Sequence, residues 1–507
     1  MLALAVDLGT TAAKAAVVSL DGFVLASAVE SVTTRFGRAG MAEQDAESVW
    51  TAVLAAASKA LDRAGPKSRG GVAVVCCTGQ WASLVPVDAS GLPVGPMLMW
   101  LDGRGGDRIA QITSGDDGAA VVARWREIHG FAPGTSLTHL LYLQHDCPEV
   151  HARTAAYLEP VDYLTARFCG VIATTGNTSM PMALTDTRTL GAAHWSEELC
   201  GLAGVDMTAL PPMAASRSSL GPLLPEVADR LGLGRSVPVT AGANDSVAMA
   251  FGTNALTEGR ATVVIGTTGV LTAHHARRVM DIRRSVATMP SALDDRFYVV
   301  AEGGLGGKAL EVFLTQLAPS GDESRDVFAS VDGLATSVPA GAEGVMFLPW
   351  LIGSMAPLAD DHQRGAFVGL SMRSTRAHLL RAVLEGVALQ MRWLTDEVSG
   401  ALDVSFPSLR FAGGGAESTV WAQIMADVLR RPIELVTDPR QANARGAAAL
   451  GFLSIGAIAE RDLAGLVSVA RTYEPETRHG DLFDERLSIF RDLHRSLSEP
   501  IAKLHAR

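Results

Sequence analysis

The first twenty residues pair two apolar runs around a short polar turn. Residues 2–6 are apolar, Asp7 follows them, and Gly9-Thr10-Thr11 leads into a second apolar run over residues 15–20. Uninterrupted apolar runs of this length are typical of strands buried on both faces of a sheet. The pattern therefore predicts a β-hairpin. It also places an acidic residue at the end of a buried strand, where a charge is costly unless it has a partner.

The same pattern recurs about half a chain later. The sequence RATVVIGTTGVLTAHH, residues 260–275, again predicts a strand, a Gly-Thr-Thr turn and a strand. Such a turn presents backbone N–H groups and hydroxyls, which together form a phosphate cradle, and an acid beside a phosphate commonly binds Mg²⁺. Two such hairpins would grip one polyphosphate between them. Two unrelated hairpins are the plainer alternative.

Strands and helices alternate through the rest of the chain, which is typical of an α/β fold. Residues 365–394 predict a strand, a capped turn and a long helix, whose apolar stripe consists of Leu379, Leu380, Val383, Val387 and Met391. The other predicted elements are a helix over 46–61, strands over 72–77 and 237–241, a strand–turn–helix–strand unit over 409–436, and a small-residue helix packed on a sheet over 444–456.

No low-complexity linker separates the two halves, so we expect them to pack against each other. We place the boundary near Asn254, which gives a first domain over residues 1–253 and a second over residues 254–456. Residues 457–507 are expected to form helices packed on the second domain.

Composition narrows the class of protein. The chain has 507 residues, of which 48% are hydrophobic and 19% charged, and its net charge is −11. It has no run of Lys and Arg to bind nucleic acid and no apolar stretch near the roughly 18 residues that a membrane span needs. Five cysteines without C-x-x-C spacing, and no basic segment before the first apolar run, suggest reduced thiols and a cytoplasmic location.

Taken together and in this order, eight segments resemble the FGGY family of carbohydrate kinases, most closely its xylulokinase-like branch. They are DLGTTAAK (7–14), MAEQDAESVW (41–50), GQWASLVPVD (79–88), MWLDGRG (99–105), AGANDS (241–246), GTTG (266–269), RGAFVGL with HLLRAVLE (364–370 and 378–385), and GGGAES (413–418).

The resemblance implies a fold and a reaction. The fold is α/β, with two actin-like, ribonuclease-H-like domains of the ASKHA superfamily and a cleft between them. The reaction is transfer of the γ-phosphoryl group of ATP, with Mg²⁺, to a hydroxyl of a sugar or polyol, most simply a ketopentose such as D-xylulose. The expected partner is thus a small molecule, and a homodimer is compatible with the resemblance.

The resemblance also implies roles for individual residues. Asp245 is the expected general base and Asp7 the expected metal ligand. The residues expected to contact ATP are Thr10, Thr11, Lys14, Gly266, Thr267, Gly306, Gly307, Gly415, Ala416 and Thr419. The residues expected to bind the sugar are Gln80, Trp81, Ala82, Asp102, Arg104, Asn244 and Ser246.

Several of these residues also have plainer interpretations. Asp245 could cap a helix, Lys14 could be an ordinary surface lysine, and Trp81 could belong to the core. Asp102 and Arg104 could form an interdomain salt bridge. The Gly-rich turn over residues 413–416 could be a tight loop without a ligand.

The chain departs from the xylulokinase pattern in two places. Where those enzymes carry Gln-Met-His-Gly, this chain has Gln80-Trp81-Ala82-Ser83, and their Gly-Glu-Arg-Thr-Pro is replaced by residues 353–357, GSMAP. A site built to hydrogen-bond a hydroxyl discriminates strongly against acceptors that lack it, so loss of the His weakens the case for D-xylulose. A Trp can stack on the C–H face of a sugar.

Other functions remain open on the sequence. Within the family the acceptor could be ribulose, a tetritol or another polyol, glycerol or gluconate. An acetate-type or ROK-type kinase shares the fold but not this order of motifs. A chaperone-like actin-fold ATPase would need a peptide-binding domain, for which little chain is left. A catalytically inactive sugar sensor would not need both Asp7 and Asp245.

Overall fold

The computed structural model describes residues 1–319 and 331–505. Two mixed β-sheets with flanking helices form two α/β domains. The first half of the chain contains strands β1 (Leu2–Leu8), β2 (Ala12–Ser19), β3 (Val24–Ser31), β4 (Arg35–Phe36), β5 (Ala42–Gln44), β6 (Val72–Gly79), β7 (Val85–Val87), β8 (Met97–Leu98), β9 (Ala156–Leu158), β10 (Thr174–Thr175), β11 (Thr185–Asp186), β12 (His194–Trp195), β13 (Met213–Ala214), β14 (Ser219–Pro222), β15 (Pro238–Thr240) and β16 (Ala243–Asn244). Its helices are α1 (Ala46–Ala64), α2 (Pro66–Gly71), α3 (Gly106–Thr113), α4 (Gly118–His129), α5 (Ser136–Asp146), α6 (Pro148–His151), α7 (Pro160–Cys169), α8 (Glu197–Ala203), α9 (Pro225–Leu231) and α10 (Asp245–Thr253).

The second half has fewer and longer elements. Its strands are β17 (Ala261–Ile265), β18 (Thr268–His275), β19 (Met280–Asp281), β20 (Val286–Pro290), β21 (Phe297–Leu305), β22 (Met346–Leu348), β23 (Ala366–Val368), β24 (Leu409–Ala412), β25 (Ile433–Val436) and β26 (Val469–Tyr473). Its helices are α11 (Gly307–Val312), α12 (Val331–Thr336), α13 (Arg376–Leu402), α14 (Thr419–Leu429), α15 (Ala442–Ser454) and α16 (Gly480–His505).

The two main sheets share one topology. In the first, the strand order is β14-β15-β6-β1-β2-β3, with β16 also pairing β6, and in the second it is β19-β20-β21-β18-β17-β24-β25-β26. In each, three antiparallel strands (β1–β3, and β17, β18 and β21) are followed by two parallel strands (β6 and β15, and β24 and β25). The repeat that the two Gly-Thr-Thr segments predicted is therefore a repeat of whole sheets.

Helices α10 and α15 join the two halves. Ala444, Ala447 and Phe452 of α15 pack on the first sheet, although α15 lies between β25 and β26 of the second sheet along the chain. At the α10–α15 crossing, a Cβ on Gly446 would lie 1.7 Å from the Ala248 carbonyl oxygen, so only glycine allows this approach. The prediction that this small-residue helix packs on a sheet is confirmed.

The C-terminal segment corrects one expectation. We expected helices over residues 457–507, but β26 lies within this segment and pairs antiparallel with β25 at the edge of the second sheet. The long helix α16 follows it, and its Phe483, Leu487 and Phe490 are buried in the core of the second domain.

No helix in the described part of the chain is both long and apolar enough to span a bilayer. All five cysteines are free thiols, and Cys76 and Cys77 are buried in β6.

Candidate active site

The first Gly-Thr-Thr turn joins β1 to β2 and carries an ion pair. Asp7 and Lys14 lie opposite each other in the antiparallel register, and the Lys14 Nζ is 3.2 Å from Asp7 Oδ2. The Asp7 side chain is 8% exposed and that of Lys14 is 49% exposed. Asp7, nearby Asp245 and the hydrogen bond to Asp7 raise the pKa of Lys14 against the opposing effect of burial. Lys14 is thus paired with the expected metal ligand and retains an accessible side chain.

Thr10 ties this turn to the segments expected to bind the sugar. Its hydroxyl donates to Gln80 Oε1 at 3.1 Å and accepts from the Trp100 indole N–H at 3.1 Å. Its carbonyl accepts from Gln44 Nε2 at 2.7 Å. Thr11, by contrast, is exposed. The turn is therefore held on one side and open on the other.

Asp245 begins helix α10 at the end of the first sheet. In the parallel registers, Asp7 of β1 and Ala243 of β16 both pair with Thr78 of β6. Asp245 follows two residues later, so both carboxylates lie at the carboxyl ends of strands that pair with β6, where ligands bind in α/β sheets. Burial and the nearby Asp7 carboxylate raise the pKa of Asp245 to about 7, whereas Ser246 and Lys14 oppose that rise.

Asp245 is not the helix cap. Asn244 is the N-cap of α10, and its Oδ1 accepts from the Val247 N–H at 3.0 Å. The Asp245 carboxylate is thereby released from the capping role that we considered as an alternative. A carboxylate near the first turn is also stabilised by the helix dipole.

The second Gly-Thr-Thr turn joins β17 to β18 and is contacted by the Gly-rich loop that follows β21. The Gly307 N–H donates to the Gly266 carbonyl at 2.7 Å, and the Gly306 N–H donates to the Thr267 carbonyl at 3.0 Å. A Cβ on Gly306 or Gly307 would lie within 2.7 Å of backbone oxygens of this turn. The structure thus brings all four of these predicted residues together.

The Gly413–Gly415 loop lies against the same strand end. A Cβ on Gly415 would lie 2.6 Å from Ile265 Cγ2, in the last residue of β17. The Ala416 side chain is buried in the core, so only its backbone could face a ligand. Ser418 caps α14, and its hydroxyl bonds Asp332, while Thr419 is exposed, with its hydroxyl 3.4 Å from Asp332 Oδ2.

The segment 80–83, here called the acceptor loop, follows β6. Gln80 is buried and bonded to Thr10. Trp81 is half-buried and packs against the cluster that contains Val247 and Phe251 of α10. Ala82 has φ of 60°, a left-handed conformation that costs a non-glycine residue about 1–2 kcal/mol. The Ser83 hydroxyl accepts from the Trp100 backbone N–H at 2.9 Å.

Asp102 and Arg104, two of the residues expected to bind the sugar, contact each other and neighbouring side chains. Arg104 Nη2 is 2.6 Å from both Asp102 Oδ2 and Glu43 Oε1, and its Nη1 donates to the Tyr142 hydroxyl at 3.1 Å. The Asp102 side chain is fully buried. Burial favours a raised pKa for Asp102, but hydrogen bonds from Arg104 and Ala42 outweigh it and lower the pKa. Both side chains are committed to a network within the first domain, so the pair is neither interdomain nor free for an acceptor.

Asn244 and Ser246 differ in accessibility. Besides capping α10, Asn244 donates to the Tyr298 hydroxyl on β21 at 2.7 Å and is fully buried. It therefore connects the first domain to β21 of the second. The Ser246 hydroxyl lies 3.4 Å from Asp245 Oδ1 and is partly exposed.

Two residues beside these turns were missed in the sequence. Trp100, 46% exposed, bonds Thr10 and follows Met99 in a segment whose Asp102 and Arg104 drew attention instead. Glu302 pairs with Val270 across β18 and β21, and burial raises its pKa against a hydrogen bond from Thr268. The aromatic residue inside the MWLDGRG segment itself was the available signal for Trp100.

The donor set fits Mg²⁺ carried by a nucleotide. The described residues contain no group of three or more His, Cys, Asp or Glu side chains that could hold a metal alone. Mg²⁺ bound with a nucleotide commonly takes one or two carboxylates, with phosphate oxygens and water completing its shell. Asp7 matches the form of that pattern with a single carboxylate.

Comparison with known proteins identifies the family. Residues 2–252 match the N-terminal domain of the FGGY family of carbohydrate kinases, and residues 261–455 match its C-terminal domain. The chain is 28% identical over 454 residues to xylulose kinase of Bacillus subtilis, covering 89% of this chain and 88% of that protein. It is 25% identical to gluconokinase of the same organism over 99% and 97% of the two chains.

A solved structure shows the same architecture. Xylulose kinase from Rhodospirillum rubrum superposes with a TM-score of 0.84 at 27% identity, covering 99% of this chain and 100% of that one. The two family models together match most of the sequence. The fold agrees with that of the Rhodospirillum rubrum enzyme along nearly the whole length of both chains. The chain belongs to the FGGY family of carbohydrate kinases.

Proposed function

We propose that this sugar kinase transfers the γ-phosphoryl group of ATP to a hydroxyl of a neutral sugar, with a ketopentose such as D-xylulose as the first candidate. The observation that carries the proposal is the placement of Asp245, released from helix capping, beside Asp7 at the carboxyl edge of the first sheet. Membership of the family implies the use of ATP.

In the proposed reaction, Asp245 accepts the proton of the acceptor hydroxyl. The hydroxyl oxygen then forms a bond to the γ-phosphorus as the bond to the β–γ bridging oxygen breaks, and ADP leaves. A raised pKa near 7 suits a general base at neutral pH. Mg²⁺, held at Asp7 with the phosphates, would neutralise charge on the transferred group.

The two Gly-Thr-Thr turns are proposed to hold the phosphates from opposite sides. Thr10, Thr11 and Lys14 would act from the first domain, and Gly266 and Thr267, backed by Gly306 and Gly307, from the second. Gly415, Ala416 and Thr419 would border the adenosine. Closure of the two domains would exclude water from the transferred phosphoryl group, with the hinge near the proposed boundary at Asn254.

The charge around the acceptor loop favours a neutral acceptor over an aldonate. Recognition of a carboxylate usually requires a cation, most often an arginine. Arg104 is already bonded to Asp102 and Glu43, and Lys14 is assigned in this proposal to the phosphates of ATP. A ketose or polyol needs no such cation, so gluconate is the weaker candidate.

The test is ADP release from the purified protein with Mg-ATP and a panel of D-xylulose, D-ribulose, erythritol, glycerol and D-gluconate. We expect the highest kcat/KM with a ketopentose and the lowest with gluconate. A preference for gluconate would overturn the neutral-acceptor assignment. ATP binding without ADP release on any member of the panel would contradict the proposed reaction and favour a sensor.

A further inference from the structure

A buried glutamate, Glu159, lies directly behind the acceptor loop. Strand β9 pairs antiparallel with β7 so that Leu158 faces Val85. The next residue on one strand, Glu159, is therefore brought beside Leu84 on the other, next to the loop. Glu159 is 1% exposed and immediately precedes α7. Burial of an ionisable group at this depth is rare unless the group is hydrogen-bonded.

The contacts of Glu159 connect it to the loop. The Ser136 hydroxyl donates to its Oε1 at 2.5 Å. Its Oε2 is buried, and no donor among the described residues bonds it with good geometry. Burial raises the pKa of Glu159 well above its usual value, and the Ser136 hydroxyl and the backbone N–H groups of Ser83 and Ala82 oppose that rise. The carboxyl group therefore faces the backbone of the loop.

The backbone of the acceptor loop is strained at Ala82, and its conformation fixes the position of Trp100. Ala82 holds a left-handed conformation, which persists only where the surroundings over-determine it. The next residue, Ser83, fixes the backbone of Trp100, whose indole bonds Thr10 in the first phosphate turn. A change in the loop would thus move Trp100.

Helix α5 contacts both Glu159 and the segment that contains Asp102 and Arg104. Three of its side chains, spaced three residues apart, contact the acceptor side of the domain. Ser136 bonds Glu159, His139 Nε2 lies 3.1 Å from the Asp102 carbonyl oxygen, and Tyr142 accepts from Arg104. One helix therefore supports both segments, and Glu159 is its connection to the loop.

We infer that Glu159 is a positioning residue that holds the acceptor loop in its strained conformation and thereby sets the affinity and choice of the sugar. This inference rests on the proposed function. Glu159 does not touch the reacting atoms, so its effect is expected on the acceptor and not on ATP.

The experiment measures steady-state kinetics and thermal stability of Glu159→Gln beside the wild type. Glutamine keeps the size of the side chain but replaces one carboxyl oxygen with an NH₂ group, which cannot accept from the Ser136 hydroxyl or from a backbone N–H of the loop. We expect the KM for the best acceptor to rise at least about tenfold and the ratio of kcat/KM between D-xylulose and D-ribulose to change. The KM for ATP and the slow hydrolysis of ATP without acceptor should stay within about twofold of the wild type.

Two further variants separate positioning from folding. Glu385→Gln neutralises another buried glutamate, which is paired with Arg381 at 2.8 Å in the second domain, and it should lower Tm without changing the acceptor KM. Ser136→Ala removes the hydroxyl that bonds Glu159 and should raise the acceptor KM about threefold or more. If Glu159→Gln does not fold, the inference is tested with Ser136→Ala instead. An unchanged acceptor KM in Ser136→Ala would then overturn the inference.

The outcomes distinguish the two claims. A wild type that releases no ADP with any acceptor would overturn the proposed function, and this inference with it. A wild type that phosphorylates its acceptor, beside a folded Glu159→Gln with unchanged acceptor KM and selectivity, would overturn this inference alone. Equal rises in the KM for ATP and for acceptor would also overturn it, because they would indicate general disruption.

Discussion

The Lys14 ammonium lies 3.2 Å from the Asp7 carboxylate, across a directly paired position of the first hairpin. The lysine side chain is half-exposed, whereas the carboxylate is almost buried. This pairing balances the charge of Asp7 while leaving the lysine able to turn toward a phosphate. The interpretation of Lys14 as an ordinary surface residue is therefore less favourable than its sequence position alone suggested.

Replacement of Lys14 by methionine should weaken the use of ATP. A hydrogen bond to a charged group contributes about 1.5–3 kcal/mol, so kcat/KM for ATP should fall by about 10- to 100-fold. The acceptor KM should change little. Lys503→Met is the control, because Lys503 also pairs with a carboxylate, Glu499, on the C-terminal helix α16. Equal kinetics for both variants would contradict a phosphate contact by Lys14.

Two glycine variants distinguish a residue proposed to contact phosphate, Gly266, from one that packs against it, Gly307. A Cβ on Gly266 would meet no protein atom within 4 Å, whereas a Cβ on Gly307 would lie 2.6 Å from the Gly266 carbonyl oxygen. Gly307→Ala should therefore lower Tm. Gly266→Ala should leave Tm unchanged and raise the KM for ATP about tenfold or more, if phosphate occupies that space. Calorimetry and steady-state kinetics check both, and an unchanged KM in Gly266→Ala would argue against the cradle.

The pH dependence of the reaction should report Asp245. Because a general base must be unprotonated, acceptor-dependent kcat/KM should rise with pH up to about 7 and level off above it. Since the Asp7 carboxylate contributes to the raised pKa, a higher Mg²⁺ concentration should move the inflection to lower pH. A profile that is flat across neutral pH at low Mg²⁺ would contradict this assignment.

The raised pKa of Asp245 should make the folded protein less stable as pH rises, whereas the rise in pH makes the reaction faster. The folded state binds the Asp245 proton more tightly than the unfolded chain does, so this group's contribution to stability falls as pH rises from the ordinary value of 3.8 through about 7. Asp245→Asn should remove that dependence, which thermal unfolding at several pH values measures. An undiminished pH dependence of Tm in the variant would assign it to other buried carboxyls.

Tyr298 should couple the second domain to the helix that carries Asp245. Tyr298→Phe removes the hydroxyl that accepts from Asn244 and should cost about 1 kcal/mol, with a several-fold loss of kcat. Tyr157→Phe removes a comparable buried hydroxyl, which bonds His151 Nδ1 at 2.7 Å within the first domain, and should cost stability alone. Equal kcat in the two variants would show that the Asn244 bond does not influence the reaction.

Much of the fold, and the positions of Asp7 and Asp245 in it, could be predicted from local sequence. Continuous apolar runs marked β1, β6 and β17, and the Gly-Thr-Thr turns marked where the chain reverses. Asp7 could be placed because it ends a buried strand. Asp245 could be placed because the segment AGANDS follows a second buried strand, predicted over residues 237–241. These signals lie within a few residues of the positions that they predict.

The remainder depended on partners distant along the chain. Asp102 and Arg104 are committed to Glu43 and Tyr142, which no local pattern connects with them. Strand β26 was missed because four of its five residues are exposed at a sheet edge, so it carries no apolar run.

The measurement that tests the central claim most directly is acceptor-dependent ADP release by Asp245→Asn beside the wild type. With the best ketopentose, the account predicts that kcat falls by about 10²- to 10⁴-fold, while ATP binding measured by calorimetry is retained. A variant that binds ATP and turns over within about twofold of the wild type would contradict the assignment of Asp245 as the general base.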